Sequence, residues 1–413
     1  MYHDLIIIGG GSCGVAAAIK AKNLNIDVAV LEGTDRICKK LLTTGNGRCN
    51  ITNENLTMNR YHSTNSMFFE KILKKYDYNT TIEFLNSIGI YTCTLEGGKV
   101  YPLSLQASAV VDILRLNLEE RNIPVYLQNK VLSIEKNKKN LFKIKTNEGE
   151  YSCRMLLLCT GGKSYPKLGS DGSGYKLASS LKHTIIPTTP GIVQLKLDYN
   201  RLKAISGVKF TSTCSVLVND KVEKDEFGEI LFTDYGISGP PILQLSRVAS
   251  RAILDRKDVS VCVNITNSSY SRIMESLETH FAIFSSRTIY DNLVGIINKK
   301  LIPVILKEAG IIDIHTITYD VDYECRNKLY NLLCSWKFKV TGTNTFDNAQ
   351  VTIGGIDTKE LNSETLESKI VPGLFFGGEI IDVDGDCGGF NLQWCWSSSE
   401  AAVNAINVKL KGI

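Results

Sequence analysis

The chain has 413 residues, enough for two or three domains with a buried core. With 43% hydrophobic and 22% charged residues, its composition excludes a disordered or fibrous chain. A net charge of +4 is small for this length and gives little support for a nucleic-acid or membrane-surface partner.

No apolar run approaches the roughly 18 residues of a membrane span. The N-terminus, "MYHDLIIIGGG", lacks the basic region and cleavage site of a secretory signal. The 12 cysteines are therefore expected as mostly buried free thiols in a reducing cytoplasm. None forms a CxxC pair and the five histidines are scattered, so no metal site is expected.

Residues 4–8, "DLIII", predict a buried parallel strand. Gly9, Gly11 and Gly14 follow in GxGxxG spacing, with Ser12 and Cys13 between the last two. "VAAAIKAKNL" predicts an alanine-rich helix, and "DVAVLE" a second strand ending on Glu32. This is a complete βαβ dinucleotide unit. Gly9 permits the tight turn, Gly11 lets the backbone approach a pyrophosphate, and Gly14 lets the helix lie against the strand. The helix N-terminus adds free N–H groups and a partial positive charge. Glu32 can accept from a ribose 2′-OH, which favours FAD or NAD over NADP.

The next stretch, "TTGNGRCNIT", holds Gly45, Gly47, Arg48, Cys49 and Asn50. A catalytic cysteine beside a flavin usually has a resolving partner. The nearest thiol to Cys49 is Cys38, eleven residues upstream. Cys49 is read as a small packed residue in a cofactor loop rather than a redox thiol.

"YSCRMLLLCTGGKSYP" predicts a buried strand, Met155 to Cys159, followed by Thr160, Gly161 and Gly162. "TCSVLVNDKVEKDEFGEILFT" reads as a β-hairpin with a charged turn. Residues 270–336 carry helical periodicity, and Thr341 to Ile356 lead back toward a sheet. "VPGLFFGGEIIDVDG" is a further apolar strand running into Gly377, Gly378 and Glu379. Gly388 and Gly389 then precede a last helix whose N-terminus could face a flavin pyrimidine ring. A simple NAD dehydrogenase has no reason to return to its cofactor so late in the chain, so FAD is favoured.

Six stretches together resemble one family: "KKLLTTGNGRCNITN", "GGKVYPLSLQASAVVDIL", "TGGKSYPKLGSDGSGYKLA", "GEILFTDYGISGPPILQLS", "AQVTIGGID" and "GLFFGGEIIDVDGDCGGFNLQWCWSS". The chain is similar, nearly end to end, to flavoproteins of the BaiN/YhiN type, also described as aminoacetone oxidase family FAD-binding enzymes. The resemblance implies an α/β, Rossmann-like two-dinucleotide-fold FAD domain, split in sequence over residues 1–190 and 341–413. It implies an inserted β-barrel-like piece, residues 191–268, and a small helical piece, residues 269–340. Glu379 would bind the ribityl chain. Lys40 and Arg48 would lie near phosphate or flavin oxygens, and Val131 would give backbone contacts on the adenine side. Cofactor contacts are further expected at Gly9, Gly11, Ser12, Cys13, Gly14, Glu32, Gly45, Gly47, Cys49, Asn50, Thr160, Gly161, Gly378, Gly389, Phe390 and Asn391. The chain departs from the family at Ser399-Glu400 and Ala402, where glycines are usual. It departs again at Cys387, where larger residues are usual.

The flavin carries the redox chemistry, and the protein must handle one proton. Tyr235 in "FTDYGISGP" is the first candidate, beside Asp234 and Ser238. Asp382, Asp384 and Asp386 read as turn acids, Tyr101 and Tyr165 equally as residues lining a flavin or as packing residues, and His62 and His183 as structural. There is no second strand–GxGxxG–helix unit, so NADH or NADPH would dock only transiently. The expected activity is NAD(P)H-linked reduction of an activated C=C bond in a small, steroid- or bile-acid-like enone. The alternatives are an amine or α-aminoketone oxidase using O₂, a flavin-bearing RNA-binding or RNA-modifying protein, and a redox sensor. A nucleic-acid partner is not favoured, and the oligomeric state is open.

Overall fold

The run Leu5-Ile6-Ile7 is wholly buried, as a strand covered on both faces of a parallel sheet must be. In the computed structural model, which describes residues 1–412, this run lies in β1 (Tyr2–Ile8) at the middle of a seven-stranded sheet. Ile413, the last residue of the expected C-terminal segment, lies outside the described residues. Helix α1 (Ser12–Asn23) follows, then β2 (Val28–Leu31), β3 (Val125–Tyr126), β4 (Val131–Lys136), β5 (Phe142–Thr146), β6 (Glu150–Leu158) and, much later, β7 (Leu374–Phe376). Strands β2 and β6 flank β1 in parallel, and β3 extends the sheet beyond β2. On its other side β6 is shared: Glu150–Cys153 pair antiparallel with β5, and Leu156–Leu158 pair parallel with β7. The last helix, α2 (Phe390–Leu410), returns to pack on α1.

The chain forms two compact units, one of residues 1–189 together with the segment from 349 onward, the other of residues 190–348. The second unit contains a closed six-stranded barrel, ordered Leu195–Asp198, Gly236–Ser238, Lys221–Phe232, Lys209–Val218, Val259–Asn264 and Trp336–Thr343. Its long hairpin turns at Asn219-Asp220, both at positive φ (49° and 65°), as a two-residue turn between twisted strands requires. Helices Tyr270–Ile283, Ile302–Glu308 and Tyr323–Cys334 share one apolar core with the barrel, centred on Phe232, Trp336 and Phe338. Among the described residues, no helix is long and apolar enough to cross a membrane.

The alanines of α1 bring its axis close to α2, and Glu400 lies on this contact. Lys20 Nζ, nearly buried, donates to Glu400 (2.7 Å) and to the Trp396 carbonyl (3.3 Å), and sits over the Phe84 ring. Burial lowers the pKa of the Lys20 ammonium, and the Glu400 charge opposes that. Ser399 is fully buried and turns its hydroxyl back onto the Trp396 carbonyl (2.7 Å). Glu400 thus neutralises a lysine that the packing has buried. Glu400→Ala should leave that charge uncompensated and cost about 2 kcal/mol, discounted for the partial exposure of Glu400. Lys20→Met with Glu400→Leu should recover most of it, read as the urea midpoint.

Candidate functional site

The backbone ladder continues one residue past each strand end. Gly9 N–H donates to the Leu31 carbonyl (2.8 Å), Cys159 N–H to that of Ile8 (2.8 Å), and Gly377 N–H to that of Leu158 (3.0 Å). Parallel register therefore sets Glu32, Gly9, Cys159 and Gly377 side by side along one edge of the sheet. This is the carboxyl edge, where open α/β sheets bind ligands.

Gly9 has φ +104°, and a Cβ there would lie 2.5 Å from the Cys159 carbonyl oxygen. A Cβ at Gly14 would overlap the Gly9 carbonyl oxygen, so only glycine lets α1 start against β1. At Gly11, by contrast, a Cβ would meet nothing within 4 Å. Gly11 caps α1, which has neither a side-chain cap nor an acid in its first turn. Ser12 opens that helix, and its amide N–H groups remain available to an anion. The Glu32 carboxylate accepts from Gly10 N–H and Thr34 N–H, both at 2.7 Å, with one oxygen on each. Each oxygen keeps acceptor capacity for a hydroxyl. The turn before Val131 is tied to the same place, since Asn129 N–H donates to the Glu32 carbonyl. Val131 itself is buried in the core.

Thr160 and Gly161 follow β6, and the Thr160 hydroxyl is buried without a hydrogen-bond partner. After β7, Gly378 N–H donates to Ser398 Oγ (2.9 Å) and its carbonyl accepts from the Trp394 indole (3.1 Å). Glu379 Oε2 accepts from Lys40 Nζ at 2.7 Å, and Oε1 from Thr352 N–H at 2.7 Å. Lys40 and Glu379 are 339 residues apart in sequence. Cys13 Sγ lies 3.5 Å from Cys159 Sγ and near Ser398, both buried.

The TTGNGRCNIT loop is an irregular turn, with Gly45, Asn46 and Cys49 at positive φ. Its exposed members are Thr43, Asn46, Gly47 and Arg48. Tyr101 packs on Gly45, and its phenol is raised by burial and by Cys387 while Arg48 opposes. With its amide turned to satisfy both ends, Asn50 accepts from Gly389 N–H (3.1 Å) and donates to the Val100 and Thr52 carbonyls. Gly389, at φ +98°, caps α2 against the Thr52 backbone, and the first turn of α2 holds no acid and no side-chain cap. Asn391 is engaged on Gly385, accepting from its N–H (2.9 Å) and donating to its carbonyl (2.7 Å). Phe390 is buried against Tyr61, whose hydroxyl donates to the Phe390 carbonyl.

A further group was not legible from spacing. The short ladder of Tyr61–His62 with Asp384–Gly385 lies against the first turn of α2. There His62 Nε2 meets Asp386 Oδ1 (3.0 Å) and Arg60 Nη1 meets Asp386 Oδ2 (3.2 Å). Asp382 pins the same segment, accepting from Thr64 N–H (2.9 Å) and the Thr64 hydroxyl. His183 is sealed between Glu360 (3.1 Å) and Ser368 (2.9 Å). Tyr235 belongs to the barrel unit, in the turn after Phe232, and its carbonyl accepts from Leu197 N–H (3.1 Å).

Cys49 is fully buried, and burial pushes its thiol up to about 12. It is a protonated, enclosed thiol at neutral pH. The native protein should therefore leave Cys49 unlabelled by iodoacetamide at pH 8, with labelling appearing only in denaturant, as read by peptide mass.

Comparison with known proteins agrees with this arrangement. The family description "HI0933-like protein Rossmann domain" matches residues 3–405. A 3-dehydro-bile acid delta(4,6)-reductase of Clostridium scindens is 36% identical over 97% of this chain and 98% of its own. A ribosomal RNA dihydrouridine synthase of Haemophilus influenzae is 30% identical over 98% of this chain and 99% of its own. Its Escherichia coli namesake is 30% identical, with 96% of each chain covered. Among solved structures, a 3-ketosteroid delta1-dehydrogenase of Sterolibacterium denitrificans shares the fold, with TM-score 0.50 and 12% identity over 99% of this chain and 100% of that one. The chain belongs to the HI0933-like Rossmann family of FAD-binding proteins and is an FAD-dependent oxidoreductase.

Proposed function

We propose that the protein reduces a carbon–carbon double bond conjugated to a carbonyl in a steroid- or bile-acid-like enone, with NADH or NADPH as the electron donor. The end-to-end similarity to the Clostridium scindens bile-acid reductase carries this reading.

The residues present fit FAD. Gly11 leaves an open cradle at the uncapped start of α1, suited to a pyrophosphate. Glu32 has its charge fixed by two N–H groups and lone pairs left for ribose hydroxyls. Glu379, oriented by Lys40 and Thr352, would hold the ribityl chain. The uncapped start of α2, framed by Asn50, Gly389 and Asn391, offers N–H groups to the electron-rich pyrimidine edge. When bound, FAD supplies hydride transfer in either direction. The chain's own residues fix its position and supply the proton.

The two relatives named as ribosomal RNA dihydrouridine synthases favour a second reading, reduction of uracil in RNA. The chemistry is the same in kind, since the uracil C5=C6 bond is also conjugated to a carbonyl. Anaerobic stopped-flow spectra separate the readings. NADH or NADPH should bleach the flavin, and a 3-oxo-4-ene steroid should restore its colour. Reoxidation by an RNA transcript alone would support the second reading. Bleaching only by an amine would replace both with an oxidase. Lys40→Ala should weaken FAD binding by about 1.5–3 kcal/mol, because it leaves Glu379 without its cation. Fluorescence titration of the apoprotein measures this.

A further inference from the structure

Adding hydrogen across a conjugated double bond places a hydride on the β carbon and a proton on the α carbon. The hydride's two electrons come from the reduced flavin, which is left oxidised. The proton needs a donor. We infer that His62, oriented by Asp386, is that donor. This rests on the reading above, that the protein reduces a conjugated double bond.

The position is the first argument. His62 lies in the short ladder opposite Asp384, packed on the first turn of α2. Tyr61 Oη donates to the Phe390 carbonyl (3.0 Å), and Asp386 N–H donates to the Arg60 carbonyl (2.9 Å). One residue beyond Asp386 comes Cys387, then Gly388, whose carbonyl accepts from Asn53 Nδ2 (2.9 Å), then the Gly389 cap. His62 is thus held beside the helix start that frames the proposed flavin site.

The second argument is orientation. Asp386 is nearly buried, and its two oxygens are divided between His62 Nε2 and Arg60 Nη1. With a carboxylate oxygen accepting there, Nε2 is the N–H side of the ring. The proton to be given away is then on Nδ1, on the other side of the imidazole. This is the arrangement of a general acid backed by a carboxylate. After giving its proton, the ring is the neutral tautomer that Asp386 already holds, and water restores the proton at Nδ1.

The third argument is access. The His62 side chain is 28% exposed, whereas that of His183 is sealed. His3 lies at the start of β1, on the opposite edge of the sheet from Gly9, with Asp27. Asp384 and Asp386 are the acids facing His62 across the ladder, and Arg60 is the cation beside it. The Tyr101 phenol, packed on Gly45 of the cofactor loop, is the competing donor, and the test includes it.

Two measurements on the FAD-loaded protein decide the assignment. Diethyl pyrocarbonate should label His62 in the resting oxidised protein, read by peptide mass. A saturated 3-ketosteroid should protect His62 while leaving exposed His315 of the barrel unit labelled. In anaerobic stopped flow, His62→Gln should keep its flavin spectrum and be bleached by NAD(P)H at about the wild-type rate. Its reoxidation by the enone should slow by about 100-fold or more. Tyr101→Phe tests the competing donor, and a slowing of that step as large as that of His62→Gln would overturn the assignment. The assignment requires both protection and selective slowing, and the absence of either overturns it. Protection is read on the wild-type protein, so a variant that fails to load FAD does not remove the test. If the wild-type reduced protein is not reoxidised by any enone, the reading above fails and the assignment with it. If it is reoxidised and His62→Gln matches it, only the assignment fails.

Discussion

The site depends on the register of four parallel strands. Because Leu31, Ile8, Leu158 and Phe376 are aligned, the chain leaves the sheet four times along one edge. A slip of one residue in β6 or β7 would turn core side chains out and carry the glycine turns away from Gly9. The register is held by apolar burial on both faces, since β1, β6 and β7 all end in fully or nearly buried residues. Function therefore rests on residues that never meet a ligand.

The last helix is the second fixed element. Its start must face the sheet edge, and its body is anchored accordingly. The buried indoles donate outward, Trp394 to the Gly378 carbonyl and Trp396 to the Ile51 carbonyl (3.0 Å). Gln393 donates to the Tyr76 and Asp77 carbonyls and to the Thr81 hydroxyl, and accepts from the Thr52 hydroxyl. Such a network is costly to leave half satisfied, so it specifies one rotation of the helix about its axis. Lys20 and Glu400 add an ion pair on the α1 side. The position of the Gly389 cap follows from contacts spread over three turns of helix.

The βαβ unit was legible because its physics is local: an apolar run, glycines at fixed offsets and an acid at the end of the next strand. The split architecture was legible from three similar strand-to-glycine transitions. What escaped was every pairing made through the fold. Lys40 was expected near phosphate or flavin oxygens, and the structure sets it on Glu379. His62 seemed to lack a partner, because Asp386 lies 324 residues away and reaches it only through a two-residue ladder. Glu400 looked like a loss of glycine, and its buried partner Lys20 could not be foreseen from the helical pattern. Periodicity shows which face of an element is buried, but not which distant charge will be buried with it.

The two substrate classes borne by the relatives' names share a conjugated carbonyl and differ in everything around it. A strand edge that fixes a flavin and one proton donor would serve both, so discrimination must come from the surroundings. RNA requires free cations to contact phosphates. In the lysine-rich segment "NKVLSIEKNKKN", the first of two such segments, the other being "INKKLIPVILKE", Lys130 is paired with Asp171 (2.9 Å) and Lys136 donates to the Pro372 carbonyl (2.5 Å). In the second basic stretch, Lys300 donates to the Ser206 carbonyl (3.5 Å). Cations already engaged within the fold are weaker phosphate ligands than their density in the sequence implies. A steroid asks instead for apolar area and one polar contact at its ketone. Lys138, Lys139 and Lys299 of the same stretches are exposed, so the charge of these faces does not by itself separate the two substrates, and the separation rests on what lines the site around the conjugated carbonyl.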